Sequence, residues 1–259
     1  MTRFNHQDGE YVEVDGARLY VEQQGNLAGP PLIFVPGGFG EIEVFNKLTP
    51  TLGRTHRLIG IDSRGHGKST LGPHPLSYRR LAQDVAAVAS HLQLARYSVL
   101  GHSDGAIVAL RLAADPANPI DRIIPIGAHG DLADDDPVRR IFGRVTGDYW
   151  RERFPESHAS YQRLNPEPDF DRFALIMQRL WSSSDADGYP GESIRHIGCE
   201  VLIVHGDADP LVKRNHLLYL MANLPTSAKL LCLPFVEHEP HEECPALILP
   251  AIERFLNPG

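Results

Sequence analysis

Cysteine is scarce in this sequence. The chain has 259 residues and only three cysteines, Cys199, Cys232 and Cys244, none of them in a C-x-x-C spacing. Paired cysteines would be needed for a disulfide framework, and clustered cysteine or histidine ligands for a structural zinc site. The thirteen histidines contain no H-E-x-x-H pattern either. We therefore expect no disulfide framework, no metal and no organic cofactor.

Long apolar runs are also missing. No uninterrupted apolar stretch approaches the ~20 residues that a membrane-spanning helix needs, and the N-terminal segment lacks the apolar core of a signal peptide. The formal net charge of −8 opposes binding to nucleic acid and to anionic membranes. These absences predict a cytoplasmic protein whose partner is a small molecule, not a nucleic acid or a membrane. They leave the oligomeric state open.

What the sequence does contain is a regular alternation of short apolar strands with helices. Two candidate strands flank Asp15-Gly16, which is a strong hairpin signal. An amphipathic helix is predicted over 77–93 from apolar residues at helical spacing. Further apolar runs predict strands at 31–35, 57–61, 97–100, 122–126, 201–205 and 229–233. This order predicts a single α/β unit with a mostly parallel, twisted sheet covered by helices on both faces.

The most informative motif is Gly101-His102-Ser103-Asp104-Gly105, which lies between an apolar strand and an apolar helical segment. Strand, tight turn and helix form the context of a G-x-S-x-G nucleophile elbow. Such a turn strains its central residue, and the glycines at 101 and 105 remove side chains that would clash. Taken alone, a serine between glycines is usually just a turn. Ser103 is nevertheless the candidate nucleophile, and its hydroxyl needs a base to take its proton.

Two later loops supply a candidate acid and a candidate base for Ser103. Asp209 and then His238 each follow an apolar strand. The chain order nucleophile, acid, base is the order found in α/β-hydrolases. Asp207 and His241 are the alternatives, since Asp is also favoured in turns and either histidine could lie at the surface. The position after the preceding glycine favours Asp209 over Asp207, whereas the choice between the histidines stays open at this point.

With these residues, the chain resembles the α/β-hydrolase fold superfamily over nearly its whole length. The segment Asp62–Ser69 is similar to the D-x-R-G-x-G-x-S loop that follows the fourth strand in that superfamily. The segment His238–Pro245 resembles the catalytic histidine followed by E-x-P at the head of the last helix, although Glu237 replaces the customary glycine before it. The resemblance identifies His238 as the base. It implies a serine hydrolase with a Ser103–His238–Asp209 triad.

The resemblance extends to a glycine-rich loop early in the chain. Val35-Pro36-Gly37-Gly38-Phe39-Gly40 stands where the superfamily carries an H-G-x-x-G loop, with proline in place of the histidine. It implies that the N–H groups of Gly38 and Asp104 hold the oxyanion, with Phe39 as the alternative to Gly38. A phosphate cradle is the other interpretation, but the Lys-Ser/Thr ending of a P-loop is missing.

Between His129 and Cys199 the alternation of strands and helices stops. The resemblance implies that 130–196 is a helical cap inserted after the sixth strand, and that 1–129 and 197–259 form the α/β-hydrolase core domain. An apolar stripe at helical spacing lies inside the cap: Phe170, Phe173, Met177, Leu180 and Trp181. Ordinary packing explains most such stripes. Candidate pocket residues are Asp104, His129, Trp150 and Trp181, although His129 could equally be a solvated loop histidine.

A finer resemblance concerns the substrate. The P-G-x-x-G loop, the S-D-G elbow and the segment His205–Val212 are similar to the valacyclovir hydrolase (biphenyl hydrolase-like) type, an α-amino-acid ester hydrolase. In that type the Asp after the nucleophile attracts the substrate's amino group, and Asp104 matches it. Asp104 could instead serve only the N-terminus of the elbow helix, where a carboxylate is stabilised by the helix dipole.

The expected function is therefore hydrolysis of carboxylic ester or related acyl bonds of a small molecule through an acyl-enzyme intermediate. Esters of α-amino acids are one candidate substrate class. The alternatives are a cofactor-free perhydrolase of haloperoxidase type and a non-catalytic, ligand-binding member of the fold.

Overall fold

A computed structural model describes residues 2–257 of the chain. Its centre is one eight-stranded sheet with the strand order β1-β2-β4-β3-β5-β6-β7-β8. The strands are β1 Glu10–Val14, β2 Ala17–Gly25, β3 Pro31–Val35, β4 Arg57–Ile61, β5 Tyr97–His102, β6 Ile120–Ile126, β7 Glu200–Gly206 and β8 Lys229–Leu233. β2 runs antiparallel to β1 and β4, and β3 to β8 are parallel to one another. The predicted, mostly parallel sheet is confirmed.

The predicted hairpin joins β1 to β2. Val14 pairs with Ala17, so Asp15 and Gly16 are the two turn residues. Their φ angles of 45° and 75° both lie in the left-handed region. A two-residue turn with positive φ at both positions matches the right-handed twist of the flanking strands, and Asp-Gly is a preferred sequence for it.

Helices cover both faces of the sheet. They are α1 Thr49–Leu52, α2 Tyr78–His91, α3 Asp104–Ala114, α4 Val138–Phe142, α5 Gly147–Arg153, α6 Pro155–Leu164, α7 Phe170–Trp181, α8 Arg214–Asn223, α9 Pro240–Glu243 and α10 Pro245–Leu256. Alternate residues of β3 enter different cores. Ile33 packs in the cluster that contains α2 and α3, whereas Phe34 packs in the cluster that contains Ile248 of α10. This alternation follows from the two-residue period of a strand.

Helix α2 is slightly shorter than the predicted span of 77–93. Ser77 has extended backbone angles and its side chain accepts a hydrogen bond from the N–H of Arg80, which caps the first turn. At the other end Gln93 has a φ of 55°. A left-handed residue just beyond the last turn ends a helix by turning the chain away from its axis.

Four of these helices, α4 to α7, lie between β6 and β7, followed by a 3₁₀ segment at Gly191–His196. The apolar stripe of α7 is buried at all five positions, as its spacing predicts. Division of the chain into a core domain (1–129 and 197–259) and a cap (130–196) remains a prediction. Within residues 2–257, every helix is too short or too polar to span a bilayer.

Because β3 to β8 are parallel, their carboxyl ends meet along one edge of the sheet. The loops that leave this edge contain the glycine-rich segment after β3, Ser103 after β5, Gly127 after β6, Asp209 after β7 and His238 after β8. Open α/β sheets place their ligand sites outside this edge. The fold therefore brings the candidate residues Ser103, Asp209 and His238 and the glycine-rich loop to the same end of the sheet.

Candidate active site

Ser103 occupies a strained turn between β5 and α3. Its φ of 51° and ψ of −113° lie outside the regions that side-chain-bearing residues normally adopt. The N–H of Ser103 donates to the carbonyl of Ile126 at 2.8 Å, which holds the turn against the end of β6. A Cβ at Gly101 would overlap the backbone of Gly105, and one at Gly105 would overlap the carbonyl of Val35. The two glycines thus allow the elbow to pack against its neighbours.

The candidate base and acid are in direct contact. His238 Nδ1 donates to Asp209 Oδ2 at 2.7 Å. The other oxygen of Asp209 accepts from the N–H groups of Leu211 at 2.7 Å and Val212 at 2.9 Å. Burial opposes the charge on Asp209, but the hydrogen bonds from His238 and from these amides hold the pKa of its carboxyl below the usual value. The acid is therefore ionised and fixed in orientation.

The remaining nitrogen of the base is unused. His238 Nε2 is buried and has no hydrogen-bond partner within residues 2–257. Gly127, with a φ of 61°, lies under the ring, and a Cβ there would come within 3.1 Å of His238 Cε1. Because Nδ1 carries the proton shared with Asp209, neutral His238 has a free lone pair on Nε2, which is the group that a base requires.

The two alternatives from the sequence occupy different environments. Asp207 is paired with the exposed Arg214 at 2.8 and 2.9 Å, and this partner lowers the pKa of its carboxyl. His241 is fully buried against His102 and Phe45, and burial lowers the pKa of its imidazole to about 3. The Asp–His contact is thus made by Asp209 and His238. Their catalytic roles stay predictions.

His102 is a contact of the base that sequence reasoning missed. Its Nε2 donates to the backbone carbonyl of His238 at 3.0 Å, which ties the elbow to the histidine loop. Burial holds the pKa of His102 well below the usual value, so this imidazole is neutral. The only signal in the sequence is its position directly before Ser103.

The glycine-rich loop lies directly on the elbow. A Cβ at Gly37 would come within 2.9 Å of Ser103 Cβ, and one at Gly38 within 2.8 Å of Asp104 Oδ2. Phe39 adopts a φ of 59°, which the sequence does not indicate, because bulky residues rarely enter the left-handed region. The predicted oxyanion donors, the N–H groups of Gly38 (or Phe39) and Asp104, therefore belong to segments that touch the nucleophile.

Asp104 is buried and links two helices. Its Oδ1 accepts from the hydroxyl of Tyr78 on α2 at 2.7 Å, and Trp181 Nε1 on α7 lies 2.9 Å from both carboxylate oxygens. Burial raises the pKa of this carboxyl, and the two neutral donors only partly offset it. Between residues 2 and 257, no basic side chain forms a salt bridge with Asp104. The role of Tyr78 could not be predicted from its sequence neighbours.

The other candidate pocket residues divide into two groups. Trp150 and Trp181 both pack against Phe39, with ring centroids 4.4 and 5.4 Å away. His129 lies elsewhere, beside His216, with its Nε2 3.3 Å from the carbonyl of Leu211. Burial lowers the pKa of His129 to about 3. The two tryptophans thus adjoin the predicted oxyanion loop, whereas His129 contacts the loop that carries Asp209.

One cluster has the composition of a metal site. Ligand atoms of His6, Glu41 and Asp62 lie within 4.8 Å of one another. Both ring nitrogens of His6 already contact carboxylates, Nε2 with Asp62 at 2.8 Å and Nδ1 with Glu43 at 2.7 Å. Such contacts on both sides describe a histidine cation held between acids. The cluster lies on the N-terminal segment and joins it to the Asp62 loop.

Comparisons with known proteins agree with the fold. Residues 30–149 match the family model described as the alpha/beta hydrolase fold. The human protein named serine hydrolase BPHL is 28% identical over 247 residues, covering 89% of this chain and 80% of its own. Esterase YbfF of Escherichia coli K12 is 28% identical over 248 residues, covering 88% and 93%. A meta-cleavage product hydrolase from Pseudomonas fluorescens superposes with a TM-score of 0.78 at 20% identity, covering 98% and 99% of the two chains.

Proposed function

Because this chain has the α/β-hydrolase fold and matches the model of that fold family over residues 30–149, we propose that it is an ester hydrolase acting on small carboxylic esters through Ser103, His238 and Asp209. The observation that carries the proposal is the 2.7 Å contact between His238 Nδ1 and Asp209 beside a strained serine elbow. An ionised acid on Nδ1 fixes the tautomer in which Nε2 accepts a proton. The names of the relatives, serine hydrolase and esterase, support the same chemistry.

The reaction proceeds by acyl transfer to Ser103 and then to water. His238 Nε2 takes the proton of the Ser103 hydroxyl as its oxygen attacks the ester carbonyl, and Asp209 stabilises the imidazolium that forms. Collapse of the tetrahedral intermediate breaks the ester C–O bond, and His238 protonates the departing alcohol. Water then attacks the acyl-serine with His238 as base, which releases the carboxylic acid and returns the proton to Ser103.

Two backbone N–H groups hold the negative oxygen during each step. We assign one to Asp104, the first residue of α3, and the other to Gly38, with Phe39 as the alternative. Both segments lie against Ser103, as the close approach of Gly37 to its Cβ indicates. Each such donor typically contributes about 3–4 kcal/mol to stabilising the transition state.

Fluorophosphonate labelling together with three variants tests the proposal. Wild type should be labelled stoichiometrically at Ser103 and should hydrolyse p-nitrophenyl acyl esters. Ser103→Ala and His238→Ala should each lose several orders of magnitude in kcat, because triad members act as a unit. His241→Phe should retain turnover, since His241 packs behind His102 instead of contacting Asp209. Absence of labelling in folded wild type would favour a binding protein, and equal losses at His238 and His241 would reject the assignment of the base.

We further propose that the substrates include esters of α-amino acids. Asp104 follows the nucleophile and is buried, and within residues 2–257 its carboxylate oxygens accept side-chain hydrogen bonds only from the neutral donors Tyr78 and Trp181. A carboxylate with no cationic partner can favour an ammonium group by about 1–3 kcal/mol, the range of hydrogen bonds to charged groups. The competing interpretation is that Asp104 serves only to connect α2, α3 and α7.

The two interpretations of Asp104 differ in one comparison. Valine and isovalerate esters of the same alcohol have similar acyl shapes, but only the valine ester carries an amine. The proposal predicts a higher kcat/KM for the valine ester in wild type and loss of that preference in Asp104→Asn. Equal kcat/KM for both esters in wild type would reject amine recognition and leave the connecting role.

A further inference from the structure

Two histidines hold the backbone of the loop that carries the candidate acid. His216 Nδ1 accepts from the N–H of Lys213 at 2.9 Å, and His129 Nε2 donates to the carbonyl of Leu211 at 3.3 Å. The N–H of Leu211 in turn donates to the Asp209 carboxylate at 2.7 Å. The loop that orients Asp209 is therefore itself held from outside by side chains with no place in the triad.

His216 connects this loop to the segment that follows β6. An N–H can only donate, so the Nδ1 that faces Lys213 must be unprotonated. The neutral ring then carries its proton on Nε2, which donates to Asp136 Oδ2 at 2.7 Å. The second oxygen of Asp136 accepts from the N–H of Val138 at 2.8 Å. The donor and the acceptor are thus determined for each of the hydrogen bonds that connect Val138, Asp136, His216 and Lys213.

Both side chains of this pair are sheltered from water. The His216 side chain is 5% exposed and that of Asp136 is 8% exposed. Burial opposes the charge on Asp136, but the hydrogen bonds from His216 and from Val138 hold the pKa of its carboxyl below the usual value. Asp136 belongs to a run of acidic residues at the start of the 130–196 insert. The side chain of its neighbour Asp135 forms no hydrogen bond within residues 2–257, in contrast to the two that Asp136 accepts.

We propose that Asp136 and His216 are positioning residues for Asp209, which they hold in register with His238 by fixing the 209–213 loop. The inference rests on the proposed triad. A displacement of a catalytic group by about 1 Å can lower turnover about 100-fold even when the mutated residue lies far from the chemistry. Loss of the pair should therefore reduce kcat and leave KM nearly unchanged, because neither side chain touches the elbow.

Asp136→Asn replaces one of the two hydrogen-bond acceptors at this position with a donor. The two oxygens of Asp136 accept from two different donors, whereas an asparagine offers only one oxygen and an NH₂ group. If that oxygen serves Val138, the NH₂ faces His216 Nε2–H. The ring can then avoid a donor–donor contact only by moving its proton to Nδ1, where it meets the N–H of Lys213. Asp135→Asn is the matched control, since it makes the same chemical change one residue away.

The experiment combines steady-state kinetics on a p-nitrophenyl ester with proton NMR of the hydrogen bond between His238 and Asp209. For Asp136→Asn we expect kcat to fall about 10- to 100-fold, KM to stay within a factor of about two, and the far-downfield resonance of that proton to shift or broaden. Asp135→Asn should match wild type in all three. His216→Asn keeps a hydrogen-bond acceptor near the position of Nδ1 but is too short to reach Asp136. It should behave like Asp136→Asn, and it replaces that variant in the test if Asp136→Asn does not fold.

Folded variants with lower thermal stability but wild-type kcat and resonance would overturn the inference and leave the pair a structural anchor. If wild type itself neither hydrolyses esters nor reacts with fluorophosphonate, the proposed function fails. The resonance alone then decides the positioning role: its loss in Asp136→Asn supports that role, and its persistence rejects it.

Discussion

The titration of His6 offers a direct test of the electrostatics that hold the N-terminal segment. Burial opposes a charge on this ring, but the hydrogen bonds and charges of Asp62, Glu43 and Glu41 outweigh it and raise the pKa of His6 from 6.5 to about 9. The folded protein therefore binds this proton more tightly than the unfolded chain does. The resulting stability is fully present below about pH 6.5 and is lost as the pH rises through about 9.

The size of the effect follows from the two pKa values. Each unit corresponds to about 1.4 kcal/mol, so protonated His6 contributes about 3 kcal/mol to the free energy of unfolding. Glu41 titrates at lower pH than His6. Burial raises the pKa of its carboxyl from 4.5 to about 7 in the folded protein, so the free energy of unfolding falls as the pH rises through this range. Above about pH 7 Glu41 loses only its remaining protons, so most of the change in stability at higher pH comes from His6.

His6→Asn is the suitable variant. The φ of His6 is 56°, and asparagine tolerates this left-handed conformation better than most residues while removing the titrating ring. Urea unfolding between about pH 7 and about pH 10 should show wild type losing about 2.5 kcal/mol more than His6→Asn, because part of the unfolded-state titration is already complete at pH 7. His74→Asn, at an exposed histidine 3.4 Å from Asp15, should follow the wild-type curve. Parallel curves for wild type and His6→Asn would refute the reasoning.

Three further predictions concern the site and its supports. Asp209→Asn should lower kcat by about 10⁴-fold with the fold intact. Asp207→Asn should lower kcat by no more than about fivefold, because a solvent-exposed ion pair such as Asp207–Arg214 contributes little to stability. The reverse ranking in ester kinetics would move the acid to Asp207. Trp181→Phe should lower the free energy of unfolding by about 1–3 kcal/mol, because it removes a hydrogen-bond donor from buried Asp104. Trp150→Phe should lower it by about 1 kcal/mol or less, because the Trp150 indole donates to the partly exposed Ser157. Equal losses in urea unfolding would contradict this account of Asp104. Gly105→Ala should destabilise the protein by more than about 3 kcal/mol, because its Cβ would overlap the Val35 carbonyl. Gly198→Ala is the control: its Cβ would meet no atom of residues 2–257 within 4 Å, so this variant should stay within about 0.5 kcal/mol of wild type in thermal unfolding.

The local sequence pattern was sufficient to predict most of the strands and the hairpin turn. The limits of β3 and β4 match their predicted spans, and Asp15-Gly16 forms the expected hairpin turn. These features depend on alternation, apolar runs and turn residues, all of which are encoded within a few neighbouring positions. The order of Ser103, Asp209 and His238 along the chain is equally local information.

Contacts between distant segments could not be predicted in this way. Tyr78 reaches Asp104 across 26 positions, and His102 reaches the carbonyl of His238 across 136. The pocket role of His129 stays a prediction, and its contact with the carbonyl of Leu211 could not be predicted from its place after a strand. Which side of a loop a side chain faces depends on how helices and loops pack, and this packing leaves no periodic pattern in the sequence.

By itself, then, the sequence determined the α/β architecture and which residues stand at the ends of its strands, because backbone periodicity and turn chemistry act over short distances. Only the tertiary structure decided that His102 contacts the backbone carbonyl of His238, that Asp104 lies between Tyr78 and Trp181, and that Asp136 contacts the Asp209 loop through His216. Each of these choices depends on hydrogen-bond distances and burial, which exist only after the parallel strands bring their loops to one edge of the sheet.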